Sequence, residues 1–296
     1  MPRPLDLPDE WRKFAATEQG YRFHGQNPPK RVVNELPAGP VRDGIATLRL
    51  YDPIDSWGGE WGVSAKEFTA ALDGLGSDIH TIQLHINSPG GEVFDGIAIL
   101  NALRNHPAKV VGVVDGIAAS AASFIAAGCD ELVMGKNSEL MIHDARGICI
   151  GNAADMAEMQ NLLGHLSDNI AGVYAEKTGG SVADWRARML GEAWFSAEEA
   201  VTVGLADRIE GDAQPTNRHD LSQFAHSGRA SAPAPNLEQP KNLDPHAYSD
   251  PDGDGVCEIC GTPESEHDDV SSMSKRTAET ARLRHRMRAR ELGLPA

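Results

Sequence analysis

Apolar residues follow two rhythms between positions 45 and 210. A two-residue alternation in IATLRLY (45–51) and IHTIQLHI (79–86), with Ile82, Leu84 and Ile86 between polar neighbours, predicts strands. Steps of three and four put Phe68, Leu72 and Leu75 on one helical face and Val93, Ile97, Leu100 and Leu103 on another. The apolar run KVVGVV predicts a third strand, followed by the small-residue segment GIAASAASFIAAG and the short strands ELVMG and ELMIH. Met156, Met159, Leu163, Leu166, Ile170 and Val173 then form a continuous stripe on one long helix, the mark of a core or a subunit interface. A further helix opens at Ser181, Ser196 with Glu199 forms a capping box, and Gly204 is placed to stop the last helix. Strand and helix alternate throughout, so residues 41–212 are expected to form one α/β domain.

The flanks read differently. Residues 1–40 are proline-rich, with Trp11, Phe14, Tyr21 and Phe23 as the aromatics of an arm. Residues 213–241 hold too few apolar side chains to fold alone and are expected to be a disordered linker in a flexible C-terminal extension. Residues 242–270 are acidic, and 271–296 are basic and able to form a helix that docks on an acidic partner such as a capsid or scaffold protein. Cys257 and Cys260 form a CxxC flanked by His246 and His267, two thiolates and two imidazoles that suit one tetrahedral structural zinc. A calcium loop fits less well: Asp250, Asp252, Asp254 and Gly255 match its opening, but Gly261 stands where its final glutamate belongs. Cys129 and Cys149 are isolated, so no disulfide framework is expected.

The formal net charge of −16 argues against general nucleic-acid binding, which needs clustered Lys and Arg on phosphates. MPRPLDLPDEWRKF has no apolar stretch behind its charges, and no segment reaches the length of a membrane helix. A cytoplasmic chain without a membrane partner is the expectation.

Three segments carry candidate chemistry. GIAASAAS follows the strand KVVGVV, and its small residues allow a tight turn that leaves Ser120 at a helix N-terminus, where free N–H groups favour developing negative charge. A closely packed helix has the same composition, so the serine gains meaning only from its partners. INSPGG (86–91) ends a strand with two glycines whose N–H groups suit an oxyanion hole or a binding groove, or simply a turn. MIH places His143, one of eleven histidines, at the exit of a short strand.

Taken in order, INSPGG, GIAASAAS and MIH resemble the ClpP family of serine peptidases, and the resemblance runs from about Ile45 to Ile209, including EAWFSAEEAVTVGLAD. The forms FDGIAILNALRNH, DGIAASAASFIAAG and the Gly-Asn opening of the long helix are more similar to the phage and prophage branch, which includes head-maturation enzymes, than to the housekeeping peptidase. The resemblance implies a ClpP/crotonase-like fold with Ser120 as nucleophile, His143 as general base and the N–H groups of Gly91 and Ala121 as oxyanion hole. It implies no cofactor for catalysis, a ring-type homo-oligomer, and protein substrates, capsid or scaffold proteins among them. The chain departs from the pattern in ADWRARMLGEAWFSAEE, which has no aspartate after Asp184; Glu192 is the nearest acid and is expected to orient His143.

Rival functions are a catalytically inactive capsid-assembly or scaffold protein on the same fold, and an acyl-CoA hydratase or isomerase, whose enolate chemistry needs no nucleophilic serine. A Ser-Lys peptidase would need Lys109 or Lys136 in a motif that neither has, and the absence of GxSxG excludes an α/β-hydrolase. Ser123, one turn beyond Ser120, is expected to tolerate alanine far better than Ser120 does.

Overall fold

The structure, a computed structural model, describes residues 41–211 and 219–238. The strands β1 (Ile45–Leu50), β2 (Thr81–Ser88) and β3 (Lys109–Ala119) alternate with the helices α1 (Ala65–Asp73) and α2 (Val93–Asn105). Ser64 starts α1 through the reciprocal capping box with Glu67, and Phe68 and Leu72 bury its inner face as their spacing requires. After β3 come α3 (Ala121–Ala127), β4 (Glu131–Gly135), β5 (Glu139–Ile142), α4 (Ala153–Thr178) and α5 (Val182–Leu190). The domain closes with β6 (Ala193–Ser196), α6 (Ala197–Thr202) and β7 (Arg208–Glu210). Ser196 and Glu199 form the expected capping box on α6, and Gly204 follows with φ +81°.

The main sheet has the order β1-β2-β3-β4-β7, all parallel, with β5 and β6 attached beside β3. The long β3 serves two partners: Val111–Val114 pairs with β4, and Ile117–Ala119 pairs in parallel with β5. The register against β2 shifts between Ile86 and Ser88, and there the tip of β3 changes partner. Because β3 and β5 run side by side in the same direction, the residues just past their ends are delivered to one place. Those residues are Ser120 and His143.

Leu48, Leu50, Ile82, Leu84 and Ile86 fill the sheet core, and every residue of α3 is buried against it. The stripe on α4 divides in two. Leu166 and Ile170 are buried, whereas Met156, at the start of the helix, is 45% exposed and Met159 and Leu163 are only half-buried.

Of the linker expected at 213–241, residues 219–238 are described. Residues 219–238 form no helix or strand, yet they lie against the domain and share a second apolar cluster, in which Phe224, Leu221 and Ala232 meet Ala119, Met141 and Trp194. A segment too polar to build its own core can be ordered on someone else's, provided that its backbone donors find acceptors there. The arm at 1–40 and the extension from 242 onward, with its proposed zinc ligands and basic helix, lie outside the described residues.

Candidate active site

Ser120 occupies the sharp junction between β3 and α3, with φ 52° and ψ −123°. For a side chain with a Cβ this is a strained backbone, costing about 1–3 kcal/mol, and it persists only where the surroundings enforce it. They do. The Ser120 N–H donates to Met141 O at 3.0 Å, and its carbonyl accepts from the N–H of Ser123 at 2.9 Å and the hydroxyl of Ser123 at 2.6 Å. Tyr174 holds the Ser123 hydroxyl in turn, at 2.7 Å. Gly90 presses on the other side of the turn: a Cβ there would sit 2.4 Å from Ala119 O and 2.8 Å from the Ser120 Cβ, so only glycine lets the two loops touch.

The His143 Nε2 lies 2.8 Å from the Ser120 Oγ. For Nε2 to accept the serine proton, the other ring nitrogen must carry the hydrogen. That Nδ1 is buried and has no hydrogen-bond partner among the described residues. Burial, followed by the positive Arg146, drives the imidazole pKa down to about 4, against a smaller upward pull from Glu192 and the Asp144 backbone. The ring is therefore neutral at pH 7, the state in which it can accept a proton. Phe224 packs edge-on against it, with the centroids 5.8 Å apart.

Glu192 is placed differently from the orienting role expected of it. The carboxylate is only 4% exposed and its oxygens are engaged elsewhere. They accept from Arg146 Nη2 at 2.7 Å, Ala225 N at 2.9 Å, His226 N at 3.0 Å and Trp194 Nε1 at 3.2 Å. Burial alone would raise the Glu192 pKa, but these donors together hold it below the usual carboxylate value. Its charge reaches His143 through space, without a hydrogen bond to the imidazole.

Gly91 and Ala121 line the same cleft, of about 400 Å³, as Ser120, His143, Trp57 and Phe224. The N–H of Ala121 is the first of α3, and that of Gly91 follows a loop locked to Ile54, whose N–H donates to Gly90 O at 2.8 Å and whose carbonyl accepts from Glu92 N at 3.0 Å. The Gly91 amide thus belongs to backbone that cannot move without breaking a sheet-like contact with Ile54. Glu92, on the same wall, has its pKa raised by burial and by repulsion from Asp95 and Asp55.

Lys109 pairs with Glu131 at the opposite end of β3 and has no part in the cleft. No group of three or more metal-ligating side chains occurs among the described residues, and His246, Cys257, Cys260 and His267 lie outside them. Among the described residues no helix is long and apolar enough to cross a membrane. Arg146, Trp194 and Phe224 were not singled out by sequence reasoning. The signal for Phe224 was slight: Leu221 and Phe224 are the one bulky apolar pair in a polar stretch.

The family model described as Clp protease matches residues 63–212. The ATP-dependent Clp protease proteolytic subunit of Pleurastrum terricola is 35% identical over 131 residues, which are 43% of this chain and 65% of that protein. Proteolytic subunit 1 of Leifsonia xyli is 30% identical over 149 residues, 50% of this chain and 74% of that protein. Proteolytic subunit 2 of Bacillus licheniformis is 31% identical over 183 residues, 60% of this chain and 96% of that protein. The chain spans just under two thirds of the length of the Pleurastrum terricola and Chlorella vulgaris subunits that it matches.

Proposed function

This chain belongs to the Clp protease family, a family of serine peptidases, and from that premise we propose that it is a serine endopeptidase acting through Ser120 and His143. The observation that carries the reading is the 2.8 Å contact between the Ser120 Oγ and a neutral His143 Nε2, on a serine held in a strained turn at the mouth of a cleft. In the first half-reaction the Ser120 oxygen attacks the peptide carbonyl carbon while its proton passes to Nε2. The resulting oxyanion is held by the N–H groups of Gly91 and Ala121, His143 returns the proton to the leaving amine, and the C–N bond breaks to leave an acyl-serine. Water then attacks the ester, giving its proton to His143, which passes it to the Ser120 oxygen as the acid departs. No cofactor enters either half.

A serine-reactive fluorophosphonate separates this function from an inactive scaffold on the same fold. Stoichiometric labelling at Ser120, abolished in Ser120→Ala and reduced at least ~10³-fold in His143→Ala, is the expected result. A folded wild-type chain that neither labels nor cleaves peptides would establish the scaffold reading instead.

At a finer level we assign the peptidase to head maturation in a phage or prophage, acting as a ring-type homo-oligomer on capsid or scaffold proteins. The forms FDGIAILNALRNH and DGIAASAASFIAAG, and the exposed apolar start of α4, support this. The matched relatives are named ATP-dependent, so cleavage of a folded substrate only when an unfolding ATPase is added would place the chain with them. The extension is proposed as a zinc knuckle on His246, Cys257, Cys260 and His267. It predicts about one equivalent of zinc in the full chain, lost in a Cys257→Ser, Cys260→Ser variant.

A further inference from the structure

Residues 219–238 follow the family's domain and reach its active site. Five separate attachments hold them. The His219 Nε2 lies 2.8 Å from Asn87 O at the base of the INSPGG loop. Gln223 O accepts from Arg146 Nη1 at 3.2 Å. The consecutive N–H groups of Ala225 and His226 both converge on the buried Glu192 carboxylate. Arg229 makes a two-pronged pair with Glu199, at 2.6 and 2.7 Å, while its N–H donates to Glu139 at 2.9 Å. Arg188 donates to Asn236 O and Glu238 O. This is more fastening than a spacer needs, and its centre is Phe224, 8% exposed, whose ring stands between His143 and Trp194 at 5.8 and 6.1 Å.

What these fastenings achieve is local to the catalytic histidine. No side chain among the described residues bonds to Nδ1, and beyond a weak pull from the Asp144 backbone nothing polar steers the imidazole on that side. Packing does that work instead, and Phe224 and Gln223 also line the cleft that contains Ser120. Glu192, with four donors on two oxygens, has no acceptor capacity directed at the ring.

Resting on the peptidase reading of the site, we infer that residues 219–238 are a strap that completes the active site. Phe224 is a positioning residue for the His143 imidazole, and Glu192 is the anchor that holds the strap in place. The charged groups around the ring are Asp144 and Arg146 on its own loop, Arg186 of α5 paired with Asp144, Glu192 before β6, and Glu92 and Asp55 across the cleft. Of the groups packed on His143, Phe224 is apolar, and removing it admits water without altering charge.

The test uses the full chain and the rate of fluorophosphonate labelling at pH 5.5 and 7.5. In the wild type, with the imidazole titrating near 4, the two rates should agree within about two-fold. In Phe224→Ala, hydration should return the imidazole towards 6.5 and slow labelling at pH 5.5 by roughly four- to ten-fold relative to pH 7.5. Phe224→Leu keeps an apolar cover and should keep the flat profile. Amide exchange gives the second readout: the Ala225 and His226 N–H groups should be protected in the wild type and exchange at least ~10-fold faster in Glu192→Gln. A Phe224→Ala profile as flat as the wild type, or unprotected amides at 225 and 226 in the wild type, overturns the strap while leaving the peptidase standing. A wild type that does not label at Ser120 overturns the peptidase reading itself.

Discussion

Gly91→Ala tests whether the INSPGG loop is a functional wall or a plain turn. Gly91 has φ +145°, and a Cβ built there would lie 2.0 Å from Ile54 O, 2.9 Å from Ile54 C and 3.0 Å from Ile54 N. All three are backbone atoms and cannot swing aside as a side chain would. To reach an ordinary contact of about 3.4 Å the loop must retreat by more than 1 Å, which breaks the Glu92 N–H to Ile54 O bond and loosens the one from Ile54 N–H to Gly90 O. Strain of about 1–3 kcal/mol and one or two hydrogen bonds at about 1 kcal/mol each give a stability loss of roughly 2–5 kcal/mol. A retreat of that size also carries the Gly91 N–H away from the oxyanion, and loss of one such donor costs about 10²–10³ in kcat. The assay is kcat and KM on a peptide together with Tm. The control is Gly164→Ala in α4, where a Cβ meets nothing within 4 Å. A folded Gly91→Ala enzyme with kcat within three-fold of wild type would refute the oxyanion assignment, whatever its Tm.

Gly164→Ala itself should stabilise the chain by about 0.5–1 kcal/mol through helix propensity, read as a small rise in Tm at unchanged kcat. Ser123→Ala, which the sequence alone marks as milder than Ser120→Ala, should cost about 1–3 kcal/mol, because it strands the buried Tyr174 hydroxyl. It also removes a 2.6 Å brace on the Ser120 carbonyl, so kcat should fall without reaching zero; an unchanged denaturant midpoint would contradict this. His143 gives a pH prediction with a definite sign. The unfolded chain takes up its proton near 6.5, whereas the folded chain resists until about 4, so stability from this group is intact above 6.5 and lost as pH falls towards 4. The loss reaches about 3 kcal/mol, and denaturant titrations of His143→Gln should show a shallower decline over that window.

The order INSPGG, GIAASAAS, MIH was enough to single out Ser120 and His143, which the fold brings within 2.8 Å of each other, because a serine at a strand-to-helix turn and a histidine at a strand exit are local arrangements. Strand and helix periodicity likewise marked the alternation of β1, α1, β2, α2 and β3, since each element buries one face and repeats accordingly. Tertiary structure decided what local rules do not reach. The pairing of β5 with the tip of β3, and not with β4, is a matter of sheet register, and it sets the 2.8 Å contact between Ser120 and His143. The stripe on α4 looks uniform in sequence, but among the described residues it is buried at Leu166 and Ile170 and exposed at Met156. Glu192 is an acid near the right place, and which donors surround a carboxylate depends on segments far away in the chain; here they come from Arg146, Trp194, Ala225 and His226. Residues 219–238 were illegible for the same reason. Composition measures whether a segment can build its own core, and this one orders itself on the core, the carboxylates and His143 of the domain before it.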